Sequence, residues 1–267
     1  MSSPADSSAA YLRQLFGLDG LTAVVIGGTG TLGGSIADTL GRAGAHIVVV
    51  GSNATAGAAA VQRLQGFGTT AEFIAADVTS RADLEAVAKR LADQQRLPDI
   101  LVNGAGVNSP TPFLEITDDE WDRIMNVNLR GVRLACQVFG AQLIAKQAPG
   151  SIINIASLSA IIPLSRVFTY SASKAAVLNL TQNLAREWAP HGIRVNALSP
   201  GFFPAEQNRK VLTADRIENV MRHTPMKRFG SPEELAGAVL LMASPTAGSF
   251  LTGANLVVDG GFTAMTI

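Results

Sequence analysis

Cysteine is nearly absent from the 267-residue chain, and neither sign of charge prevails. Cys136 is the only cysteine, so no intrachain disulfide can form. It lies in a helical-looking run, where we expect a small buried hydrophobic side chain rather than a nucleophile. Basic and acidic residues number 21 each. This balance argues against a nucleic-acid or anionic-membrane partner, which a net positive field would attract. We predict no metal site.

Long hydrophobic runs are also missing. No stretch reaches the ~18 apolar residues that a membrane-spanning helix needs, and no charged segment followed by an apolar run opens the chain. We therefore expect a cytoplasmic protein without a membrane partner. The chain does have length, 47% hydrophobic residues and 26 glycines, which is enough for one large α/β domain.

Short apolar runs alternate with helical patterns along the chain. The runs predict buried strands at 21–26, 46–50, 71–75, 99–102, 151–155, 192–198 and 254–258. Helices are predicted near 35–43, 55–66, 80–95, from 117 onward, after Tyr170 and near 231–243. This alternation indicates a single-domain α/β Rossmann fold, a doubly wound parallel sheet of about seven strands with helices on both faces.

The ends of this pattern are less regular. Residues 1–17 are predicted to form a loose tail whose last turn packs on the body or on a partner subunit. Residues 18–267 form the predicted domain, and about 200–230 form a looser loop.

A glycine cluster follows the first predicted strand and opens a helix. Gly27, Gly30 and Gly33 are spaced so that the backbone can turn tightly and approach a pyrophosphate at the helix N-terminus, which predicts a dinucleotide site. The second strand ends at Ser52 and Asn53, without the carboxylate that would repel a 2′-phosphate. NADP(H) is therefore the favoured cofactor, and NAD(H) stays possible.

Tyr170 and Lys174 lie one turn apart on a predicted helix. An ammonium about 4 Å from a phenol, at an effective dielectric near 20, is worth roughly 4 kcal/mol before desolvation losses. That corresponds to a lowering of the phenol pKa by up to ~3 units from its reference value near ~10. The pair is thus a candidate for acid-base catalysis near neutral pH.

These motifs, in this order, resemble the short-chain dehydrogenase/reductase family from about Leu21 to Phe262. Besides the glycine turn, the resemblance rests on Asn103-Gly-Ala-Gly106, Asn128, Ser157 before Tyr170, and the Pro200-Gly201 and Val258-Asp-Gly-Gly261 segments. It implies an enzyme that transfers hydride between a nicotinamide and a carbonyl or secondary alcohol.

The resemblance also implies roles for individual residues. Tyr170 would exchange the hydroxyl proton, Ser157 would donate a hydrogen bond to the substrate oxygen, and Lys174 would lower the Tyr170 pKa and hold the nicotinamide ribose. Asn128 would hold a water that links Lys174 to solvent. A strand-end cap for Ser157 and a helix kink for Asn128 are the structural alternatives.

Cofactor contacts are expected along the carboxyl ends of the strands. The expected contacts are Gly27, Thr29, Gly30, Thr31, Leu32, Gly33, Ser52, Asn53, Asp77, Val78, Asn103, Ala105, Gly106, Tyr170, Lys174, Pro200, Gly201 and Phe203. Asp77 could accept from the adenine amino group or could serve as a turn or helix-cap carboxylate.

The substrate is indicated by the region after Gly201, which resembles the sugar-acid oxidoreductases of the mannonate and gluconate dehydrogenase type. Expected substrate contacts are Asn108, Ser159, Arg166, Gln207 and Arg209, with Arg166 or Arg209 pairing a carboxylate. The alternative is that these residues belong to a solvated, mobile lid.

Two other functions stay open. One is reduction of a 3-oxoacyl thioester in an apolar slot lined by Ile161, Ile162, Phe202 and Phe203. The other is a cofactor-binding regulatory protein without turnover, although such proteins typically lose the tyrosine or the lysine. By resemblance, a homotetramer or homodimer is expected, with small residues of the 172–179 helix face allowing close approach of helices.

Overall fold

A seven-stranded parallel sheet forms the centre of the computed structural model, which describes residues 4–204 and 213–265. The strands are β1 (Thr22–Ile26), β2 (His46–Gly51), β3 (Ala71–Ala75), β4 (Ile100–Asn103), β5 (Gly150–Ile155), β6 (Ile193–Pro200) and β7 (Asn255–Val258). All pairings are parallel, in the order β3-β2-β1-β4-β5-β6-β7. The predicted Rossmann fold is therefore confirmed. The strand order reverses between β1 and β4, which opens a crevice at their carboxyl ends.

Helices cover both faces of this sheet. They are α1 (Pro4–Phe16), α2 (Thr31–Arg42), α3 (Ala54–Gly66), α4 (Arg81–Asp93), α5 (Asp118–Met125), α6 (Gly131–Lys146), α7 (Phe168–Trp188), α8 (Ala214–His223) and α9 (Ala236–Ala243). A π-helical turn, Asn126–Arg130, joins α5 to α6.

Two hydrophobic cores lie on opposite faces of the sheet. Side chains alternate along each strand, so Val24 and Leu101 belong to the core under α4, α6 and α7. Their neighbours Val25 and Val102 belong to the core under α2, α3 and α9. Because both faces are covered, the central strands are apolar throughout, as the sequence pattern predicted.

Two predicted segments differ from the structure. The expected loose tail is the helix α1, and its last turn contacts the body where the Leu15 carbonyl accepts from Ser244 Oγ at 2.5 Å. The expected looser loop contains the helix α8, which Thr213 caps by accepting from the Arg216 backbone. The high charge of this segment obscured its helical spacing.

Cys136 is buried in α6, and burial raises the pKa of its thiol to about 12, which agrees with the predicted hydrophobic role. Within residues 4–204 and 213–265, no helix combines the length with the apolar character that a membrane crossing requires.

Candidate active site

Two glycines of the turn after β1 are packed too closely to carry a side chain. Gly27 has a φ of 78°, and a Cβ there would lie 2.6 Å from the backbone nitrogen of Ala105. A Cβ on Gly33 would lie 2.2 Å from the Gly27 carbonyl oxygen. Gly30 precedes α2 without a side-chain cap, and it is exposed together with Thr31. The first turn of α2 has no acidic residue, so this helix end fits an anionic pyrophosphate.

The end of β2 lies beside the glycine turn. A Cβ on Gly51 would be 3.4 Å from Thr29 Oγ1, and the next two residues, Ser52 and Asn53, are exposed. Asn53 Oδ1 accepts from the Ala56 backbone at 2.9 Å and so caps α3. The end of β2 thus presents neutral polar groups, consistent with space for a 2′-phosphate.

Asp77 stabilises its own turn after β3. Its Oδ1 accepts from the backbone and the hydroxyl of Thr79, both at 2.8 Å. This is the turn carboxylate considered as the alternative to an adenine contact. Two other predicted contacts, Leu32 and Val78, are half-buried and pack against the two cores.

The turn after β4 presents backbone toward the crevice. The Asn103 side chain points inward instead: it is 2% exposed, and its Nδ2 donates to Asn154 Oδ1 at 2.8 Å. Any cofactor contact of Asn103 must therefore come from its backbone. The Ala105 backbone approaches Gly27, and a Cβ on Gly106 would lie 3.6 Å from Lys174 Nζ.

Asn128 connects this turn to α7. It is fully buried in the π-helical turn, where its Oδ1 accepts from the Val107 backbone at 2.8 Å. Its Nδ2 donates to the Val107 carbonyl at 2.9 Å and to Ser173 Oγ at 3.1 Å. Ser173 in turn donates to the Tyr170 carbonyl at 2.6 Å. Sequence reasoning missed Ser173, although it lies inside the Tyr170–Lys174 motif.

Lys174 is buried, at 3% exposed, and its Nζ donates to the Ile155 carbonyl at 2.6 Å. The same nitrogen lies 5.6 Å from the centroid of the Tyr170 ring. Burial lowers the Lys174 pKa to about 8. Burial also raises the Tyr170 pKa, and a hydrogen bond with Ser157 acts in the opposite direction.

The predicted lowering of the Tyr170 pKa by Lys174 is therefore wrong for this structure. The ammonium is directed toward the Ile155 carbonyl, and desolvation of the phenol outweighs the effect of its neighbours.

Ser157 lies where β5 ends, beside Tyr170. Its Oγ accepts from the backbone of Ser159 at 3.2 Å and from the Ser159 hydroxyl at 3.1 Å. Ser157 thus also caps the short 3₁₀ turn Leu158–Ala160. The predicted substrate residue Ser159 is buried, and its two hydrogen bonds to Ser157 Oγ fix the position of that hydroxyl.

Several other predicted residues within the described part of the chain lie at or after the carboxyl ends of β4 and β6. Pro200 is buried, and a Cβ on Gly201 would lie 2.6 Å from the Asp259 Cα. The Phe203 ring covers Gly230, where a Cβ would be 2.2 Å away. Asn108 is exposed, and its Oδ1 accepts from the Ser109 backbone at 2.8 Å. Gln207 and Arg209 lie outside the described residues.

A cavity of about 950 Å³ lies between α8 and residues 162–166, the segment that connects Ser157 to Tyr170. We call it the charged cavity, because its lining includes Arg166, Arg216, Arg222 and His223. Sequence reasoning missed the three residues of α8. The Thr213 cap and the spacing of Ile217, Val220 and Met221 are signals that could have found this helix.

Comparison with known proteins gives matches over almost the whole chain. A family model described as enoyl-(acyl carrier protein) reductase matches residues 28–263. The galactitol 2-dehydrogenase of Rhizobium johnstonii is 42% identical over 94% of this chain and 98% of its own. The gluconate 5-dehydrogenase of Gluconobacter oxydans is 34% identical over 94% and 97%, respectively.

A solved structure shows the same architecture. The crystal structure of a gluconate 5-dehydrogenase from Burkholderia cenocepacia, in complex with NADP and tartrate, superposes with a TM-score of 0.90 at 34% identity. The alignment covers 96% of this chain and all of that one. Together with the family model, this match shows that the chain belongs to the short-chain dehydrogenase/reductase family.

Proposed function

We propose that the protein is an NADP(H)-dependent oxidoreductase that interconverts a carbonyl and a secondary alcohol of a sugar acid. The observation that carries the proposal is the placement of Tyr170 beside Ser157 and beside the buried Lys174, whose Nζ lies 5.6 Å from the centroid of the Tyr170 ring, at the carboxyl edge of the sheet. The sugar-acid and polyol names of the relatives support the substrate class.

The residues around the crevice fit a dinucleotide. The glycine turn and the uncapped start of α2 would hold the pyrophosphate, and Ser52 and Asn53 would accept a 2′-phosphate without charge repulsion. NADP in a solved relative supports this choice, and NAD(H) stays possible. When bound, the nicotinamide supplies or accepts the hydride.

The protein's own groups handle the proton. The Tyr170 hydroxyl gives or takes the proton of the substrate oxygen, and Ser157 donates a hydrogen bond to that oxygen, where negative charge develops. The Lys174 ammonium has three donors, of which the Ile155 carbonyl takes one. The other two would hold the nicotinamide ribose.

Asn128 has a positioning role in this proposal. Its side chain is occupied by Val107 and Ser173, so it fixes the loop after β4 against the start of α7. Its Oδ1 accepts one of the two hydrogen bonds that an amide oxygen can take, which leaves one position for a water that links Lys174 to solvent.

Reduction of a 3-oxoacyl thioester is the second candidate. It is supported by the description of the family model that matches residues 28–263, enoyl-(acyl carrier protein) reductase. The apolar slot that it needs is incomplete. Ile162 and Phe202 do line the charged cavity, but Ile161 is 48% exposed and the Phe203 ring covers Gly230. The presence of both Tyr170 and Lys174 likewise argues against a regulatory protein without turnover.

The proposed assembly is a cytoplasmic homotetramer or homodimer. Ala172, Ala175 and Asn179 form an exposed face of α7 that a second helix could approach closely. Light scattering coupled to size-exclusion chromatography tests this part, and a monomeric mass would contradict it.

The function is tested by turnover of the purified protein with NADPH and with NADH, followed by cofactor absorbance. The substrates are fructuronate, 5-ketogluconate and an acetoacetyl thioester. We expect turnover of a keto sugar acid with NADPH, and a loss of about 10² to 10⁴ in kcat for Tyr170→Phe, with NADPH binding retained. Turnover of the thioester alone would assign the protein to the second candidate. Cofactor binding without turnover of any carbonyl would contradict the sugar-acid function.

A further inference from the structure

The charged cavity has two walls that differ in origin. One is the segment 162–166, which runs from the Ser157 turn toward Tyr170, and the other is α8. Phe202 and Phe262 form the apolar part between them, with their ring centroids 5.2 Å apart. The volume of about 950 Å³ is within the range of small-molecule sites.

Positive charge prevails in the lining. Arg166, Arg216 and Arg222 contribute guanidinium groups, and Asp215 is the one carboxylate among the described lining residues. None of the ion pairs of residues 4–204 and 213–265 involves these three arginines. By contrast, Arg63 and Arg228 elsewhere in the fold are paired with carboxylates at 2.9 and 2.7 Å.

The backbone of Arg166 is in a conformation that L-residues rarely adopt. Its φ is 58°, in the left-handed region, and Arg lacks the freedom that allows glycine there. Such outliers concentrate at functional sites, where a strained backbone is kept because of what the side chain does. Here the side chain lines the cavity from the segment that connects Ser157 to Tyr170.

The opposite wall presents Arg216 from the first turns of α8. Arg216 is half-buried, and it shares one helix face with Asn219, Val220 and His223, which also line the cavity. Arg222 differs because its Nη2 donates to Asn219 Oδ1 at 2.8 Å. Arg166 and Arg216 thus line the same cavity from its two different walls.

We propose that Arg166 and Arg216 bind the carboxylate of an open-chain hydroxy acid between the two walls and thereby select sugar acids over uncharged polyols. The planar guanidinium matches a carboxylate in two parallel hydrogen bonds. The neutral polar residues Thr213, Asn219 and Thr263 are suited to the hydroxyl groups of the same ligand. This inference rests on the proposed function, to which it adds the residues that recognise the carboxylate of the sugar acid.

The experiment compares matched substrates that differ only in the carboxylate. Gluconate is paired with glucitol, and galactonate with galactitol, each with NADP and NAD. For the wild type we expect a higher kcat/KM with the acid than with its polyol. Arg216→Gln should raise KM for the acid by about 10- to 100-fold, because hydrogen bonds to charged groups are worth about 1.5–3 kcal/mol. Its effect on the polyol should be less than about threefold.

Two further variants separate charge recognition from general damage. Arg216→Lys keeps the positive charge but cannot form the two parallel hydrogen bonds of a guanidinium. Its KM for the acid should therefore lie between those of the wild type and Arg216→Gln. Arg13→Gln removes one positive charge from the exposed helix α1, where Arg13 pairs with Asp19, and it should leave both substrates unchanged. Equal losses with acid and polyol in Arg216→Gln would overturn the inference, as would a wild type that prefers the polyols.

Binding measured without turnover distinguishes this inference from the proposed function. Calorimetry of the wild type and Arg216→Gln with gluconate, in the presence of NADP, reports the carboxylate contact directly. Weaker gluconate binding to the variant supports the carboxylate contact of Arg216 even where no substrate is turned over. The lack of turnover would then contradict only the proposed function. An unchanged Kd, or no gluconate binding to the wild type, overturns the inference.

Discussion

The floor of the candidate site and the charged cavity are built in opposite ways. The site floor consists of the glycine turn at 27–33 together with the buried Asn128 and Lys174, and contacts to backbone atoms fix it. Apart from the buried Val220 and Phe262, the charged cavity is lined by partly or fully exposed residues, several of them on the single helix α8. Substitution in the cavity therefore disturbs little of the core. This difference suggests how relatives named for galactitol and for gluconate can share one fold.

Adding a single methyl group at Gly33 tests how tightly the site floor is packed. Gly33→Ala would place a Cβ 2.2 Å from the Gly27 carbonyl oxygen, and neither backbone can move without disturbing β1 or α2. We expect a loss of about 1–3 kcal/mol in the free energy of unfolding, typical of overpacking. We also expect at least a tenfold weaker Kd for NADPH. Urea denaturation and cofactor fluorescence measure the two effects.

Gly30→Ala is the matched control, because it adds the same methyl group in the same turn. Gly30 has a φ of −80°, and its Cβ would be 3.5 Å from the Gly27 carbonyl, an ordinary contact. The loss of unfolding free energy should stay below about 1 kcal/mol, the usual range for an N-cap position. If both alanines destabilised the protein equally, the floor would not be limited by steric contact at Gly33.

The pH dependence of stability measures the free-energy cost of burying the Lys174 ammonium. Its pKa in the folded protein is about 8, below the ordinary 10.5, so the unfolded chain binds more protons between these values. The stability of the wild type relative to Lys174→Met should therefore rise as the pH increases from about 8 to about 10.5. Below pH 8 the full cost of burying the ammonium is present. We expect a change of about 1–3 kcal/mol across this window.

Urea denaturation of both proteins at several pH values measures this difference. Lys89→Met, which removes an exposed lysine from α4, serves as the control and should follow the wild-type pH profile. A constant difference between the wild type and Lys174→Met from pH 7 to pH 10 would show that the lysine does not titrate in this range.

The same contrast explains which features were predictable from sequence. Strands such as His46–Gly51 were found because burial on both faces demands continuous apolar residues, a local signal. Tyr170 and Lys174 were found because helical spacing alone brings them together. The direction of the Lys174 ammonium was not predicted, because the Ile155 carbonyl that accepts its hydrogen bond is 19 residues away in the chain. The arginines of α8 were missed because they line a cavity whose other wall, residues 162–166, is distant in the sequence.

The smallest expected effect concerns the strained backbone of Arg166, which lines the charged cavity. Arg166→Gly removes the side chain but lets the residue adopt a φ of 58° freely. Relief of the left-handed conformation is worth about 1–2 kcal/mol, and the greater freedom of glycine in the unfolded chain offsets about 0.5–1 kcal/mol of it. We expect a net gain in stability of up to about 1 kcal/mol, together with a raised KM for the sugar acid. Thermal and urea denaturation, with steady-state kinetics, measure both.

Gln95→Gly isolates the backbone contribution to that result. Gln95 has nearly the same φ, 57°, but it lies at the end of α4, and Gln95 is not part of the charged cavity. It should give the same gain in stability and leave KM unchanged, since only Arg166 is proposed to contact the carboxylate. If Arg166→Gly lost stability while Gln95→Gly gained it, the Arg166 side chain would have a packing role. The strained backbone would then be explained without the substrate.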